Sequence, residues 1–122
     1  MILVDTSIWV DHIRRPDVGL KHLLDQEFVL GHPFVIGELA VGNLPNRAIW
    51  LRDLGRLPSA LIARHHEVLS MTEGANLFGR GLGYVDVHLL ASARLSQGLM
   101  WTRDRRLAAA AAELGIAFDR AP

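Results

Sequence analysis

Three short apolar runs, Ile2-Leu3-Val4, Phe28-Val29-Leu30 and Leu99-Met100-Trp101, constrain the fold of this chain more than any other feature. Each suits a strand buried on both faces of a parallel sheet. The segments between them carry helical patterning. A helix is expected over 7–14, stopped before Pro16, and another over 17–25 with Val18, Leu20, Leu23 and Leu24 on or near one face. Pro33 fits the first turn of a helix that runs to about Val41 and ends at Gly42-Asn43. Asn46 can cap a helix through Ile49, Trp50, Leu51 and Leu54, closed by Gly55 and Pro58. Further helices are expected over 65–78, 85–95 and 104–114, with a glycine loop at 79, 81 and 83. Leu61-Ile62-Ala63 reads as a weak third strand and Ile116-Ala117-Phe118 as a last short one. Short strands alternating with helices imply βαβ connections and an α/β fold whose central parallel sheet is covered on both faces. Functional groups in such sheets gather where strands end and the next helices begin.

The 122 residues, half of them apolar and 21% charged, fit one globular domain spanning 1–122. Thirteen basic and thirteen acidic side chains cancel, which removes a globally basic surface as an argument for nucleic-acid binding but leaves room for a local patch. Cysteine is absent, which excludes disulfides, thiolate zinc sites and a cysteine nucleophile. No apolar run approaches the roughly 18 residues of a membrane helix. The first five residues lack a basic region ahead of their apolar stretch, so no signal peptide is expected and a cytoplasmic location is.

Four carboxylates stand out. Asp5 directly follows the first strand, and Asp104 follows the Leu99–Trp101 strand after Thr102 and Arg103. Glu38 lies in the helix after the second strand, and Asp86 in the first turn of the helix after the glycine loop. Singly, each has an ordinary reading: Asp5 and Asp104 as N-caps, Asp86 as a first-turn acid favoured by the helix dipole, Glu38 as a surface charge. Together they say more. Glu38 sits among Phe34, Val35, Ile36, Leu39 and Val41, and Asp86 among Tyr84, Val85, Val87, Leu89 and Leu90. Acids in apolar segments are costly unless compensated. Converging acids suit a hard divalent cation, Mg²⁺ or Mn²⁺, which takes oxygen ligands and keeps several waters.

Asp5-Thr6-Ser7-Ile8-Trp9 and Glu38-Leu39-Ala40-Val41-Gly42 resemble the first two motifs of the PIN-domain ribonucleases. Gly81-Leu82-Gly83-Tyr84-Val85-Asp86-Val87-His88-Leu89-Leu90-Ala91-Ser92-Ala93 resembles the third, and Trp101-Thr102-Arg103-Asp104-Arg105-Arg106-Leu107 the fourth. The likeness is to the VapC toxins of bacterial toxin–antitoxin pairs, runs from residue 2 to about 118, and shows no departure at the four acids. It implies a PIN-like three-layer α/β/α fold with a pocket where Asp5, Glu38, Asp86 and Asp104 bind one or two Mg²⁺ or Mn²⁺ ions. Thr6 and Thr102 become candidates to hydrogen-bond a carboxylate or a water, with N-capping as their alternative. The implied activity is endonucleolytic hydrolysis of RNA, in transfer or ribosomal RNA, leaving 5′-phosphate and 3′-hydroxyl ends. The implied partners are a VapB-like antitoxin that blocks the pocket, often with a basic side chain, and a second copy in a homodimer and toxin–antitoxin hetero-oligomer. Trp9, Leu20, Leu23, Phe34 and Trp50 are candidates for the dimer surface.

Arg14, Arg15, Arg103, Arg105 and Arg106 lie near the expected mouth, where they can hold RNA phosphates or simply face solvent. Setting the four acids aside leaves 9 acids against 13 basic residues, an acidic pocket in a mildly basic body. The six histidines form no HExxH motif, and His88 reads as structural. Ser7 and Ser92 lack a histidine–acid partnership, and the glycine loop lacks the lysine and spacing of a P-loop. A haloacid-dehalogenase phosphatase needs Asp-x-Asp where Ser7 stands, and a response-regulator receiver needs a late lysine where the chain has only Lys21. A PIN-like module that binds RNA or protein without cutting remains the alternative, against which the intact acidic set argues.

Overall fold

The computed structural model describes residues 1–119. Their elements in order are β1 (Ile2–Val4), α1 (Thr6–Arg14), α2 (Val18–Asp25), β2 (Val29–Leu30), α3 (Pro33–Val41) and α4 (Arg47–Gly55), then α5 (His65–Gly74), α6 (Tyr84–Leu95), β3 (Leu99–Trp101) and α7 (Arg105–Glu113). The strands form a parallel sheet in the order β2-β1-β3. Leu3 faces Leu30 on one side and Met100 on the other, and Val4 is in register with Trp101. The apolar runs are therefore strands because β1 is flanked on both edges and buried on both faces; Leu3 and Val4 are wholly inaccessible. A central strand and reversed order on either side of it put the carboxyl ends of β1 and β3 side by side, which is the edge that positions the site.

The core is one connected cluster drawn from every layer. Its centre is α6, where seven consecutive residues from Val87 to Ala93 are buried, so this helix is enclosed on all sides rather than amphipathic. Two helix ends follow from local chemistry. His32 caps α3 by accepting the Phe34 N–H at Nδ1, with Pro33 in the first turn. The helix expected to reach residue 78 stops at Gly74, because Asn76 takes φ +53° and the Leu77 N–H returns to the Thr72 carbonyl.

Two expected strands are corrected. Leu61-Ile62-Ala63 forms none: the Leu61 N–H goes to Oγ of Ser96, the C-cap of α6, and the Ala63 N–H to Ser92 Oγ within α6, while the Leu61 and Ile62 side chains are exposed. The chain meets the sheet two residues earlier, in a single parallel bridge between Gly31 and Ser59. The last strand is likewise reduced to one bridge, Met100 to Ala117. Trp9 and Leu20, considered for a dimer surface, are buried in the core and unavailable for one. Trp50 is half-buried and packs edge-on against Trp9. No helix of the described residues is long and apolar enough to cross a membrane.

Candidate active site

Asp5 occupies the N-cap position of α1, yet its carboxylate makes no capping bond. Instead Oδ2 accepts hydrogen bonds from Thr102 Oγ1 at 2.7 Å and Ser7 Oγ at 2.9 Å. Its backbone N–H goes to the Trp101 carbonyl, so β1 and β3 end together. The Thr102 hydroxyl also accepts the Asp104 N–H at 3.1 Å and thereby ties the two acids through one side chain. Asp104 is a true N-cap, with Oδ1 accepting from the Arg106 and Leu107 N–H groups that open α7. Thr6, next to Asp5, donates to Glu38 Oε1 at 2.7 Å and brings α3 to the same edge. Asp86 is held locally: its Oδ2 accepts the Gly83 N–H at 2.8 Å at the start of α6.

One pattern runs through all four acids. Each gives one oxygen to these bonds, and the other has no hydrogen-bond partner among the described residues. Asp5, Asp86 and Asp104 also sit at the starts of α1, α6 and α7, whose positive dipole ends offset the repulsion among carboxylates. Burial is less uniform than the sequence implies. Asp5 is 9% exposed, but Glu38 is exposed and Asp86 half-buried, because Phe34 and Val41 turn outward and only Val35 and Leu39 of α3 are buried. The desolvation cost argued for Glu38 and Asp86 therefore belongs to Asp5.

The donor set fits a hard divalent cation: carboxylate oxygens, uncommitted, at one strand edge, with hydroxyls holding their partners. Among the described residues, no three Asp, Glu or His side chains are drawn into a ready-made metal-binding group. Mg²⁺ does not require one, since it keeps several waters and is commonly held through one or two carboxylates. No described bond links the Asp86 carboxylate to the other three.

The arginines divide. Arg103 is paired with Asp11, and its backbone N–H donates to Ser7 Oγ. Arg106 lies over Gly81, where its guanidinium occupies the space a β-carbon would take. Arg14, Arg15 and Arg105 are exposed and make no ion pair among the described residues. Arg14 lines a cavity of about 220 Å³ together with Thr6 and Glu38. Ser7 is the contributor that the sequence reading passed over. Rejected as a nucleophile, it supports Asp5, and its place two residues after a strand-ending acid was the signal.

Behind the site, His32 Nε2 is 3.0 Å from Ser92 Oγ, joining the start of α3 to α6. Burial, and then the neighbouring His88, push the His32 pKa from the usual 6.5 down to about 4. His88 is buried and stacked on Phe34 with centroids 4.2 Å apart, and burial lowers its pKa too. Its structural reading fits that packing.

A parallel sheet between helices with acids at its carboxyl edge defines a PIN-like α/β/α protein. No family model matches the chain. Over 119 residues, 97% of this chain and 96% of the relative, it is 47% identical to Ribonuclease VapC32 of Mycobacterium tuberculosis, in each of two strains. The chain belongs to the VapC family of PIN-domain ribonucleases.

Proposed function

We propose that this protein is the toxin of a toxin–antitoxin pair and acts in the cytoplasm as a metal-dependent endoribonuclease. Its substrate is transfer or ribosomal RNA, cut to 5′-phosphate and 3′-hydroxyl ends. The observation that carries the reading is the Thr102 hydroxyl, which reaches across 97 positions of sequence to Asp5 and receives the Asp104 N–H. Structural capping needs no such link, whereas two acids tied through one hydroxyl, each with an uncommitted oxygen, suit a cation. Asp5, Asp104 and Glu38 would hold Mg²⁺ or Mn²⁺, with Asp86 completing the site from the α6 side. Bound there, one or two ions would supply Lewis acidity that activates water and stabilises charge on a phosphodiester. The chain's own part is to fix the carboxylates through Thr102, Ser7 and Thr6, and to hold RNA phosphates with Arg14, Arg15 and Arg105. Arg103 and Arg106 can join them if they leave Asp11 and Gly81.

The partners that go with this reading are a VapB-like antitoxin and a second copy of the chain, in a homodimer and a toxin–antitoxin hetero-oligomer. An antitoxin arginine set among the acids would make charge-assisted bonds to the same uncommitted oxygens. A second reading, a PIN-like module that binds RNA or protein without cutting, draws on Asp86, whose carboxylate is engaged, among the described residues, only with the N-cap of its own helix.

Mapping of RNA 5′ ends after brief induction of wild type and Asp5→Asn separates the two. Wild type should create new 5′-phosphate ends. Asp5→Asn should lower cleavage by about a thousandfold or more, equivalent to ~4 kcal/mol in the barrier, with thermal unfolding little changed. A chelator should silence purified wild type and Mg²⁺ restore it. Cleavage retained in Asp5→Asn overturns the mechanism.

A further inference from the structure

The cavity beside Glu38 has features that catalysis leaves unused. It lies between α1, α3 and the loop after α3, with apolar lining from Val10, Ile13 and Leu44 and polar lining from Arg14, Glu38 and Asn43. Its volume of about 220 Å³ is below the roughly 300–1,000 Å³ of pockets that enclose drug-sized ligands. Asn43 is exposed and its side-chain amide has no partner among the described residues; the Arg14 guanidinium has none either, although it shares the cavity with an acid.

We infer that this cavity is a nucleobase subsite, which takes one unstacked base of single-stranded RNA beside the bond to be cut. The inference rests on the proposed reading of the neighbouring acids as the cleavage site. A base has flat apolar faces and an edge of donors and acceptors. Val10, Ile13 and Leu44 suit the faces, and an amide that both donates and accepts suits the edge. The planar guanidinium of Arg14 suits the adjoining phosphate and offsets the charge of Glu38. Sequence-specific recognition of RNA commonly works this way, on bases splayed out of the stack and bonded at their edges. An aliphatic side chain from a protein partner would use the apolar lining but leave Asn43 and Arg14 idle, which is why the base is favoured.

The test uses the Asp5→Asn chain, so that RNA is bound but not cut. Fluorescence anisotropy with short single-stranded RNAs, varied one nucleotide at a time, gives the dissociation constant for each base at each position. Asn43→Ala should weaken binding of the preferred sequence about tenfold and flatten the preference at one position. Arg14→Ala should weaken all sequences alike and reduce the salt slope by about one. In the chain that retains Asp5, Asn43→Ala should flatten base preference at one position next to the cut. Asn43 is exposed, and an unchanged melting temperature confirms that the variant folds. Unchanged dissociation constants and cut sites in both variants overturn the subsite and leave the cavity to a protein side chain. If wild type cuts no RNA but the base preference is present and lost in Asn43→Ala, the catalytic reading fails and the subsite stands.

Discussion

Asp5 and Asp86 are both acids at the start of a helix, and the chain holds them in opposite ways. Asp5 is fixed by a hydroxyl 97 positions away, on the far side of the β1–β3 register. Asp86, in the first turn of α6, is fixed by the N–H of Gly83, the N-cap three positions before it. The first arrangement exists only when the sheet is formed, so the geometry of Asp5 and Asp104 is a property of the fold. The second is a bond local to the N-terminus of α6, so Asp86 is placed by its own helix and not by the strand register. A site built from both has one half set by strand pairing and one half set locally at the start of α6.

The helices that carry Glu38 and Asp86, α3 and α6, meet at His32, which caps the first and is bonded to Ser92 on the second. The largest expected effect on stability falls there. Nδ1 accepts the Phe34 N–H, which places the proton on Nε2, toward Ser92. A second proton on Nδ1 would face that N–H. With its pKa lowered to about 4 in the folded chain against 6.5 unfolded, the unfolded state binds more protons between those values. Stability should therefore be full above pH 6.5, fall as the pH drops through the window, and level off below about pH 4. The loss attributable to His32 has an upper bound of about 3 kcal/mol. His12 and His88, also lowered by burial, add in the same direction. Thermal unfolding at pH 7.5 and pH 5 should show a smaller acid loss in His32→Asn than in wild type; equal losses would remove His32 from the account.

The strand-paired half is broken most cleanly at Thr102. Thr102→Val keeps the shape and removes both the donor to Asp5 and the acceptor for the Asp104 N–H. Partners that orient metal ligands typically matter by about 10–100-fold in affinity or activity, and single-turnover RNA cleavage should fall by that amount. Stability should drop by about 1–2 kcal/mol. Thr102→Ser should recover most of the activity, because it restores the hydroxyl. A Thr102→Val chain within twofold of wild type would show that Asp5 needs no help from β3.

The same contrast explains what could be read before folding. Ile2–Val4 and Leu99–Trp101 were legible because strands buried on both faces carry their environment in their composition. Leu61–Ala63 is similarly apolar and is no strand, because Ser92 on α6 and Ser96 at its C-cap take its N–H groups. Nothing in a local pattern announces a hydroxyl about 30 residues away. The places of Asp5, Asp86 and Asp104 at helix starts, and of Glu38 within the helix after β2, were legible from the strand and helix pattern. The roles of Thr102 and Thr6 were half-legible: a threonine beside an acid can cap or support, and only the pairing of chain segments decides. At Glu38 an apolar sequence context misled, since a helix can turn Phe34 and Val41 outward beside an exposed acid.

The locally held half offers the smallest and most discriminating test. Gly81 has φ +77°, and a β-carbon there would lie 2.5 Å from Arg106 Nη1. Gly81→Ala therefore carries two costs. A left-handed conformation disfavours alanine by ~1–2 kcal/mol, and the guanidinium must move, which is cheap for the end of a flexible, exposed side chain. A double-mutant cycle with Arg106→Ala separates them. If backbone strain is the whole cost, the two changes add, and Gly81→Ala lowers stability by ~1–2 kcal/mol in either background. If Arg106 packs down to brace the loop, the cycle shows a coupling of about 0.5 kcal/mol or more, and Arg106→Ala alone loosens the turn that carries Asp86. Additivity is the expected result, because Arg106 is exposed and its only described anchor is its own backbone N–H on Asp104. It would leave the guanidinium free to swing from Gly81 toward an RNA phosphate, whereas strong coupling would make Arg106 part of the scaffold and remove it from the binding surface.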